Sequence, residues 1–288
     1  MNYQHKYVFP CLLAIAVLLS AASFQSASAQ SAPSLGAASS FSVLGGQAVT
    51  CTGSVVTGDV GVSPTPAFTN TGCTVAGSTP PATDAAAALA RTAFLNAYDA
   101  LGIMPCSQTI STAAFTGNVP ALGPLAPGVY CFPAGVTFTD TALTLDGSTN
   151  PNGIWIFKVG AALTGSGFQV VLVNGAQACN VFWSVGAATT LSTSTLPPLF
   201  QGNILAGNAA GGSVTITGGS LIGRVLANVA VTMTGTNIHG SCALMSQALA
   251  ACRADDNDNH SEMDKDKDHD NDKDRDQEGD NHNDHEDE

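Results

Sequence analysis

Short runs of apolar and β-branched residues, separated by Gly, Asn and Ser, make up most of the chain and predict β-strands. In two of these runs, residues 214–217 and 231–234, apolar residues alternate with threonine. Successive residues of a strand point to opposite faces, so we expect Val, Ile and Met to point inward and the threonines outward. The threonine hydroxyls should then form a grid on the surface.

The runs also repeat along the chain. Three pairs of segments match: 202–206 (GNILA) with 223–227 (GRVLA), 214–218 with 231–235, and 156–164 with 182–190. These offsets of 21, 17 and 26 residues fit one turn of a β-helix with three short faces. A propeller blade would need about 40 to 45 residues, and a sandwich would show no such repetition. We therefore predict a mainly β solenoid.

One segment has a different pattern. Residues 84–101 are rich in alanine, follow Pro80 and Pro81 and are followed by Gly102, which predicts a single α-helix with Thr83 or Asp84 as its N-cap. One stripe of this helix carries small and apolar side chains, which suits a helix lying flat against a sheet. The stripe contains Leu89, Ala93, Ala97 and Leu101, with Ala86, Ala90 and Phe94 beside it.

Charge is distributed very unevenly. Of the 22 acidic residues, 17 lie in residues 253–288, together with five of the nine basic residues. Residues 30–252, which we call the body, hold only five acidic and three basic residues, whereas roughly a quarter of an ordinary globular sequence is charged. Three basic side chains are too few to neutralise the phosphates of a nucleic acid, and we therefore expect no nucleic-acid binding. Since His239 is the one histidine of the body, we also expect no enzyme.

Residues 1–29 have the pattern of a secretory signal peptide. Lys6 provides a basic start, residues 7–19 are apolar, and 27–29 (ASA) form a small-residue cleavage site. A membrane anchor is the alternative, but the apolar run of about 13 to 16 residues is shorter than the roughly 20 that a spanning helix needs. We therefore expect no membrane span, cleavage near Ala29, and an extracellular or periplasmic mature protein.

Cysteine usage agrees with an oxidising compartment. Seven cysteines follow the signal segment, and bridges between near neighbours are the simplest pairing. The expected bridges are Cys51–Cys73, Cys106–Cys131 and Cys242–Cys252. The remaining Cys179 lies in an apolar stretch, so we expect a buried, unreactive thiol rather than a reactive one. No CxxC pair or histidine cluster accompanies these cysteines in the sequence, so we expect no metal site and no cofactor.

The order and spacing of several short segments make the body resemble a known family, the secreted ice-binding proteins of the DUF3494 type. The resemblance covers about residues 35–242 and rests on a set of segments besides the alanine-rich helix. They are FSVLGG (41–46), GDVGVSP (58–64), LAPGVY (125–130), LTLDG (143–147), WIF (155–157), NVFW (180–183), GNILA (202–206) and GRVLA (223–227). The resemblance implies ice binding, a non-enzymatic function, and a discontinuous right-handed β-helix with one long α-helix alongside, in which the first strands complete the barrel beside the last ones.

The family often carries Thr, then Ala or Gly, any residue, then Thr or Asn on its ice-binding face. Segments that match this pattern fully or nearly are 141–144, 164–167, 190–193, 217–220 and 234–237. They start about one coil apart, so we expect them to align as a ladder on a single flat face. The predicted ice-binding residues are Thr141, Thr144, Thr164, Thr190, Thr193, Thr215, Thr217, Ser220, Thr232, Thr234 and Asn237.

Two points weigh against a simple use of this motif. Threonine is also common on exposed strands for structural reasons alone. Segment 71–74 (TGCT) matches the pattern as well, but it lies outside the coil spacing and beside an expected bridge, so we leave it out of the face.

Other conspicuous residues have structural explanations. Asp59, in a Gly-Asp-Val-Gly turn, is expected to cap backbone N–H groups, and His239 is expected to be a solvated turn residue. Trp155 and Trp183 occupy equivalent places in repeated segments, so we expect core packing rather than sugar stacking.

The acidic tail, residues 253–288, is expected to be disordered, since Met263 is the one apolar residue from 255 to 288. It lacks the glycine and glutamate spacing of an EF-hand. Weak binding of divalent cations through its carboxylates and histidines is one possibility, with solvation or surface attachment as the others. We expect a monomer.

Two other functions compete with ice binding. One is an adhesin or matrix protein that uses the same scaffold without strong ice activity. The other is a polysaccharide-cleaving β-helix enzyme, which would need clustered acidic residues or an arginine base in a cleft, and the body contains few such groups.

Overall fold

The computed structural model describes residues 31–240, with gaps at 66, 82, 118–121 and 195–198. The expected signal segment, the acidic tail and the expected Cys242–Cys252 bridge lie outside the described residues. All that follows concerns the compact unit that begins at Pro33.

Three parallel sheets, here called A, B and C, contain the strands, which are numbered along the chain. Sheet A contains eight described strands: β1 (Phe41–Gly45), β4 (Asp59–Val62), β7 (Gln108–Thr109), β9 (Gly128–Phe132), β12 (Trp155–Val159), β15 (Val181–Val185), β18 (Asn203–Ala206) and β21 (Val225–Ala227). Sheet B also contains eight described strands: β2 (Ala48–Thr52), β5 (Phe68–Thr71), β8 (Ala114–Thr116), β10 (Val136–Thr139), β13 (Leu163–Ser166), β16 (Thr189–Ser192), β19 (Val214–Thr217) and β22 (Ala230–Thr234). Sheet C contains seven described strands: β3 (Val55–Thr57), β6 (Thr74–Val75), β11 (Ala142–Asp146), β14 (Gln169–Val173), β17 (Leu199–Gln201), β20 (Ser220–Ile222) and β23 (Asn237–His239).

The chain passes from sheet A to B to C in each turn, and equivalent strands of successive turns pair in parallel. One coil therefore contributes one strand to each of the three faces. The repeat offsets in the sequence predicted this β-helix correctly, because each offset is the length of one coil.

The β-helix is discontinuous in sequence. Strand β1 pairs with β21, β2 with β22, and β3 with β23, so the first coil of the chain stacks on the last described one. Strands β4, β5 and β6 then form the end of the stack. The resemblance implied this arrangement, and it brings the two ends of the described chain together.

Inward-facing aromatic rings fill the interior of the coils. Trp155 and Trp183 are both fully buried, as expected for core residues. The closest ring pairs are Phe157–Trp183, with centroids 4.1 Å apart, and Phe138–Phe168, with centroids 4.2 Å apart. Stacked rings on successive coils add to the area buried between strands and hold the coils in register.

Helix α1 (Asp84–Ile103) covers sheet A, with which it shares a second core cluster. Its buried residues are Ala87, Ala90, Phe94, Ala97 and Leu101. The predicted packed side was wrong at Leu89, which is 68% exposed, and at Ala86, which is also exposed. The small alanine side chains allow the helix axis to approach the sheet closely, and this leaves Leu89 on the outer side.

Both ends of α1 are held by contacts from the sheet region. Thr83 occupies the N-cap position, but its hydroxyl donates to the Val60 carbonyl rather than capping the helix. At the other end, the Lys158 ammonium donates to the carbonyls of Gly102 and Met104, at 2.7 and 2.8 Å. A cation at this position also complements the helix dipole.

The structure contains the expected disulfides Cys51–Cys73 and Cys106–Cys131. Cys179 also belongs to a disulfide, so the expectation of an unpaired thiol there was wrong. A position surrounded by apolar sequence is therefore compatible with a bridge as well as with an inert thiol, and sequence could not separate the two.

Two smaller expectations have different outcomes. Asp59 accepts a hydrogen bond from the Ser78 backbone N–H at 2.8 Å, as predicted for a capping carboxylate. His239 is exposed but lies at the end of β23 rather than in a turn, with its Nδ1 3.4 Å from the Thr57 hydroxyl. In the described chain, no helix has both the length and the hydrophobicity required to cross a membrane.

Candidate functional site

Two columns of hydroxyl-bearing side chains run along the outer surface of sheet B. In the first column, residues of adjacent strands are direct partners in the order Ala114, Thr137, Thr164, Thr190, Thr215, Thr232, Thr50 and Thr69. The second column, two residues further along each strand, contains Thr116, Thr139, Ser166, Ser192, Thr217, Thr234, Thr52 and Thr71. We call these two columns the hydroxyl face.

The alternation of inward and outward residues explains how the sequence builds this face. Between the two columns, the strands place a residue in the core, such as Phe138, Ile216 or Met233, all at most 3% exposed. The end strand β5 is the exception, because Asn70 is exposed at this position. The threonines on either side of this position are exposed or half-buried. Burial of one face thus fixes the register, since a slip by one residue would turn the threonines inward.

The geometry of parallel strands makes the hydroxyl face a near-rectangular lattice. Neighbouring strands lie about 4.7–4.9 Å apart, and residues i and i+2 of a strand lie about 6.6–6.8 Å apart. Threonine is β-branched, so its χ1 angle is restricted and its hydroxyl and methyl groups are held in place. The face therefore presents a regular and stiff array of hydroxyl and methyl groups.

A sharp turn limits the face on one side. The residue after the second column has a positive φ in seven described coils, and in six of them it is glycine, for example Gly53 (φ 55°), Gly218 (φ 70°) and Gly235 (φ 60°). This left-handed residue turns the chain from sheet B into sheet C, and we call the turn the B–C corner. The Thr-Gly dipeptides at 52–53, 71–72, 116–117, 217–218 and 234–235 thus mark the ends of sheet B strands.

The corner explains where the structure places the predicted residues. Thr164, Thr190, Thr215, Thr217, Thr232 and Thr234 all lie on the hydroxyl face. Thr144, Ser220 and Asn237 lie on strands of sheet C, beyond the corner. Thr193 follows β16 directly and is exposed.

Thr141 does not belong to an exposed face at all. It is 1% exposed, and its hydroxyl donates to the Thr139 and Phe115 carbonyls at the corner. The expectation that the motifs align as one ladder was therefore wrong. The motif spans the corner at residues 217–220 and 234–237, and its other occurrences start at different positions of the coil.

Nine members of the hydroxyl face were missed from the sequence: Thr50, Thr52, Thr69, Thr71, Thr116, Thr137, Thr139, Ser166 and Ser192. Thr71 was set aside because its spacing does not fit the coil length, yet it is the direct partner of Thr52. The alternation Thr-x-Thr at 50–52, 69–71 and 137–139 was the signal that could have found several of them.

The other two sheets offer no comparable array among the described residues. Sheet A is covered by α1. Sheet C mixes polar and apolar outward residues, including Gln169, Ser220 and His239, with Leu199 36% exposed and Val55 43% exposed. Asp146 also lies there, and its pKa is lowered by hydrogen bonds from the Asn174 side chain and the Ser148 backbone N–H.

Charged groups of the described chain lie away from the hydroxyl face, with Asp140 at its border as the exception. Arg91 donates to the Asn228 side chain, and Arg224 donates to the Ser39 carbonyl, both on the side of sheet A and its helix. No group of three or more potential metal ligands occurs among the described residues.

Comparisons with known proteins point to one family. Residues 43–239 match the family described as ice-binding-like. The chain is 35% identical over 248 residues to an ice-binding protein of Nostoc sp. (strain HG1), an alignment covering 84% of this chain and 87% of that protein. It is 31% identical over 210 residues to an ice-binding protein of Flavobacterium frigoris (strain PS1), covering 69% and 73% of the two chains.

Solved structures give the same result. The crystal structure of an ice-binding protein from the Antarctic ascomycete Antarctomyces psychrotrophicus matches with a TM-score of 0.64 and 28% identity, covering 73% of this chain and 98% of that one. The DUF3494 domain of Shewanella frigidimarina ice-binding protein 1 matches with a TM-score of 0.58 and 28% identity, with the same coverage of 73% and 98%.

Proposed function

Because the chain belongs to the ice-binding-like family, it binds ice, and we propose that the hydroxyl face of sheet B is the surface that does so. One observation carries this assignment. On the described strands of sheet B, every position of the two columns except Ala114 bears a hydroxyl group, without interruption from Thr116 to Thr71.

The face suits ice because its repeats are regular in two directions. The strand spacing and the i to i+2 spacing define a lattice comparable with the oxygen repeats of ice. Each threonine hydroxyl can hold one water molecule, while the adjacent methyl group orders its neighbours. A single such contact is weak, but a rigid template loses little entropy on adsorption, so many contacts add up to firm binding.

The position of the charges supports the same face. Lysine and glutamate side chains are mobile and strongly hydrated, and both properties oppose the formation of an ordered water layer. The two columns contain only Thr, Ser and Ala. The low charge of the body therefore serves the docking surface.

Adsorption to ice accounts for inhibition of growth and recrystallisation. Ice that grows between bound molecules must curve, and a curved front grows less readily than a flat one. The same adsorption hinders the transfer of water from small crystals to large ones. The protein acts through binding alone, so the proposal contains no catalytic step.

We also propose that the protein acts as a secreted monomer. The signal pattern of residues 1–29 and the disulfides of the body support an oxidising compartment outside the cytoplasm. A monomer is sufficient because one chain contains the whole hydroxyl face. Divalent-cation binding by the tail stays a prediction.

Paired substitutions across the B–C corner test the assignment of the face. Thr217→Tyr and Thr234→Tyr place a bulky ring on the hydroxyl face, whereas Ser220→Tyr and Asn237→Tyr place it three residues later, on sheet C. We expect ice recrystallisation inhibition to be lost in the first pair and kept in the second. Loss in the second pair with normal activity in the first would move the site to sheet C.

A further inference from the structure

One B–C corner carries a residue that is unfavourable for its backbone conformation. Of the seven described coils with a positive φ at this position, six use glycine, and the seventh uses Asp140, with φ 48°. A residue with a side chain is disfavoured in this region, although Asp and Asn tolerate it better than most. Such an outlier suggests that the side chain is retained for a purpose.

The Asp140 carboxylate extends from the coil of β10 past the coil of β13 to the coil of β16. Its backbone N–H donates to the Ser166 carbonyl at 2.7 Å, as the corner requires. The carboxylate lies beside Gly167, where a Cβ atom would overlap Asp140 Oδ1. Beyond it, the Ser194 hydroxyl donates to Asp140 Oδ2 at 3.1 Å. The side chain therefore connects the coil of β10 to that of β16.

The coil of β16 is the one that needs such a tether. After Ser192 the glycine of the corner is replaced by Thr193, which does not have a positive φ. Thr193 and Ser194 instead lie over the corners of the two neighbouring coils. A Cβ atom on Gly218 would clash with Thr193 Cγ2, and one on Gly167 would lie 3.1 Å from Ser194 Cβ. Both residues thus occupy space that neighbouring glycines leave open.

We propose that Asp140 is a positioning residue for the ice-binding surface. Its hydrogen bond to Ser194 holds the start of the connection after β16 in the B–C corner, so that this segment stays below the plane of the hydroxyl face. Without the tether, Thr193 and Ser194 rise beside Ser192 in the second column and keep a flat ice surface from touching it. This inference rests on the proposed function of sheet B.

Three variants test the tether. Asp140→Gly removes the carboxylate. Glycine occupies the same position in six other corners, so we expect the fold to be retained. Asp140→Asn keeps an oxygen acceptor and tolerates the same backbone conformation. Ser194→Ala removes the donor without changing the corner. The readouts are the protein concentration that gives half-maximal ice recrystallisation inhibition and the midpoint of thermal unfolding.

We expect Asp140→Gly and Ser194→Ala each to raise the half-maximal concentration by about threefold or more, with thermal midpoints close to that of the wild type. Asp140→Asn should restore nearly wild-type inhibition. The double variant Asp140→Gly, Ser194→Ala should be no worse than either single variant, because both remove the same contact.

Wild-type inhibition by Asp140→Gly would overturn the tether while leaving the proposed ice-binding face intact. The tether would also be overturned if the loss of inhibition followed a fall in the thermal midpoint and Asp140→Asn did not restore it. That pattern describes a residue needed only for the fold. A wild-type protein that does not inhibit recrystallisation would instead overturn the proposed function itself.

Discussion

At the scale of single residues, threonine and glycine have different roles in this fold. Threonine provides a stiff hydroxyl and methyl pair on the outside of sheet B. Glycine allows the left-handed turn that ends six of the eight described strands of that sheet. Threonine could be assigned to the outside from alternation in the sequence, as at 214–217. The glycines appeared as part of a binding motif because sequence alone does not show a backbone angle.

Two glycines with free space around them separate backbone strain from packing. A Cβ atom added to Gly235 or to Gly102 would meet no atom within 4 Å, but Gly235 has a φ of 60° and Gly102 lies in α1. We expect Gly235→Ala to lower the free energy of unfolding by about 1 kcal/mol, because alanine is strained in the left-handed region. Gly102→Ala should raise it by up to about 1 kcal/mol through helix propensity and reduced entropy of the unfolded chain.

Guanidinium unfolding monitored by circular dichroism measures both changes. Equal effects of the two substitutions would contradict the assignment of a conformational role to the glycine of the B–C corner.

At the scale of elements, α1 acts as a cover for sheet A. Its existence and limits followed from composition, since the predicted residues 84–101 differ from the observed Asp84–Ile103 only at the end. Its buried face followed in part. Four predicted residues are buried, namely Ala90, Phe94, Ala97 and Leu101, whereas Leu89 and Ala86 are exposed. Leu89 is more hydrophobic than the three buried alanines, and hydrophobicity alone therefore placed it wrongly on the buried side.

A pair of leucines tests which face of α1 is packed. Leu101 is fully buried, whereas Leu89 is 68% exposed. We expect Leu101→Ala to reduce the free energy of unfolding by about 2–5 kcal/mol through lost burial and a cavity. Leu89→Ala should change it by less than about 0.5 kcal/mol. The same denaturant titration measures both changes. A larger loss from Leu89→Ala than from Leu101→Ala would show that the opposite face of the helix packs against the sheet.

At the scale of the whole molecule, the discontinuity of the β-helix determines the size of the hydroxyl face. Strands β2 and β5 come early in the chain, yet they extend sheet B beyond β22 and add Thr50, Thr52, Thr69 and Thr71 to the columns. Sequence spacing could predict neighbours only along the continuous part of the helix. Pairing between the two ends of the described chain depends on tertiary contacts that no local pattern records.

The lack of ionisable groups in the columns predicts that ice binding is insensitive to pH. Between about pH 5 and pH 9 no Thr, Ser or Ala side chain changes its charge, so recrystallisation inhibition should stay constant. Acid should act on the fold instead. The lowered pKa of Asp146 means that its contribution to stability is present above the usual pKa of aspartate and is lost as the pH falls through the lower value in the folded state.

Inhibition measured across this pH range, with circular dichroism to verify folding, checks the prediction. A change in activity while the protein stays folded would show that an ionisable group takes part in binding.

The most direct test of the hydroxyl face is to observe which variants enter a growing single crystal of ice. Proteins labelled with a fluorophore on lysine are suitable, since the two columns contain no lysine. Thr215→Tyr changes the centre of the first column, and Thr144→Tyr makes the same change on sheet C. We predict fluorescent crystal planes with the wild type and with Thr144→Tyr, and dark ice with Thr215→Tyr. Bright planes with Thr215→Tyr and dark ice with Thr144→Tyr would contradict the account.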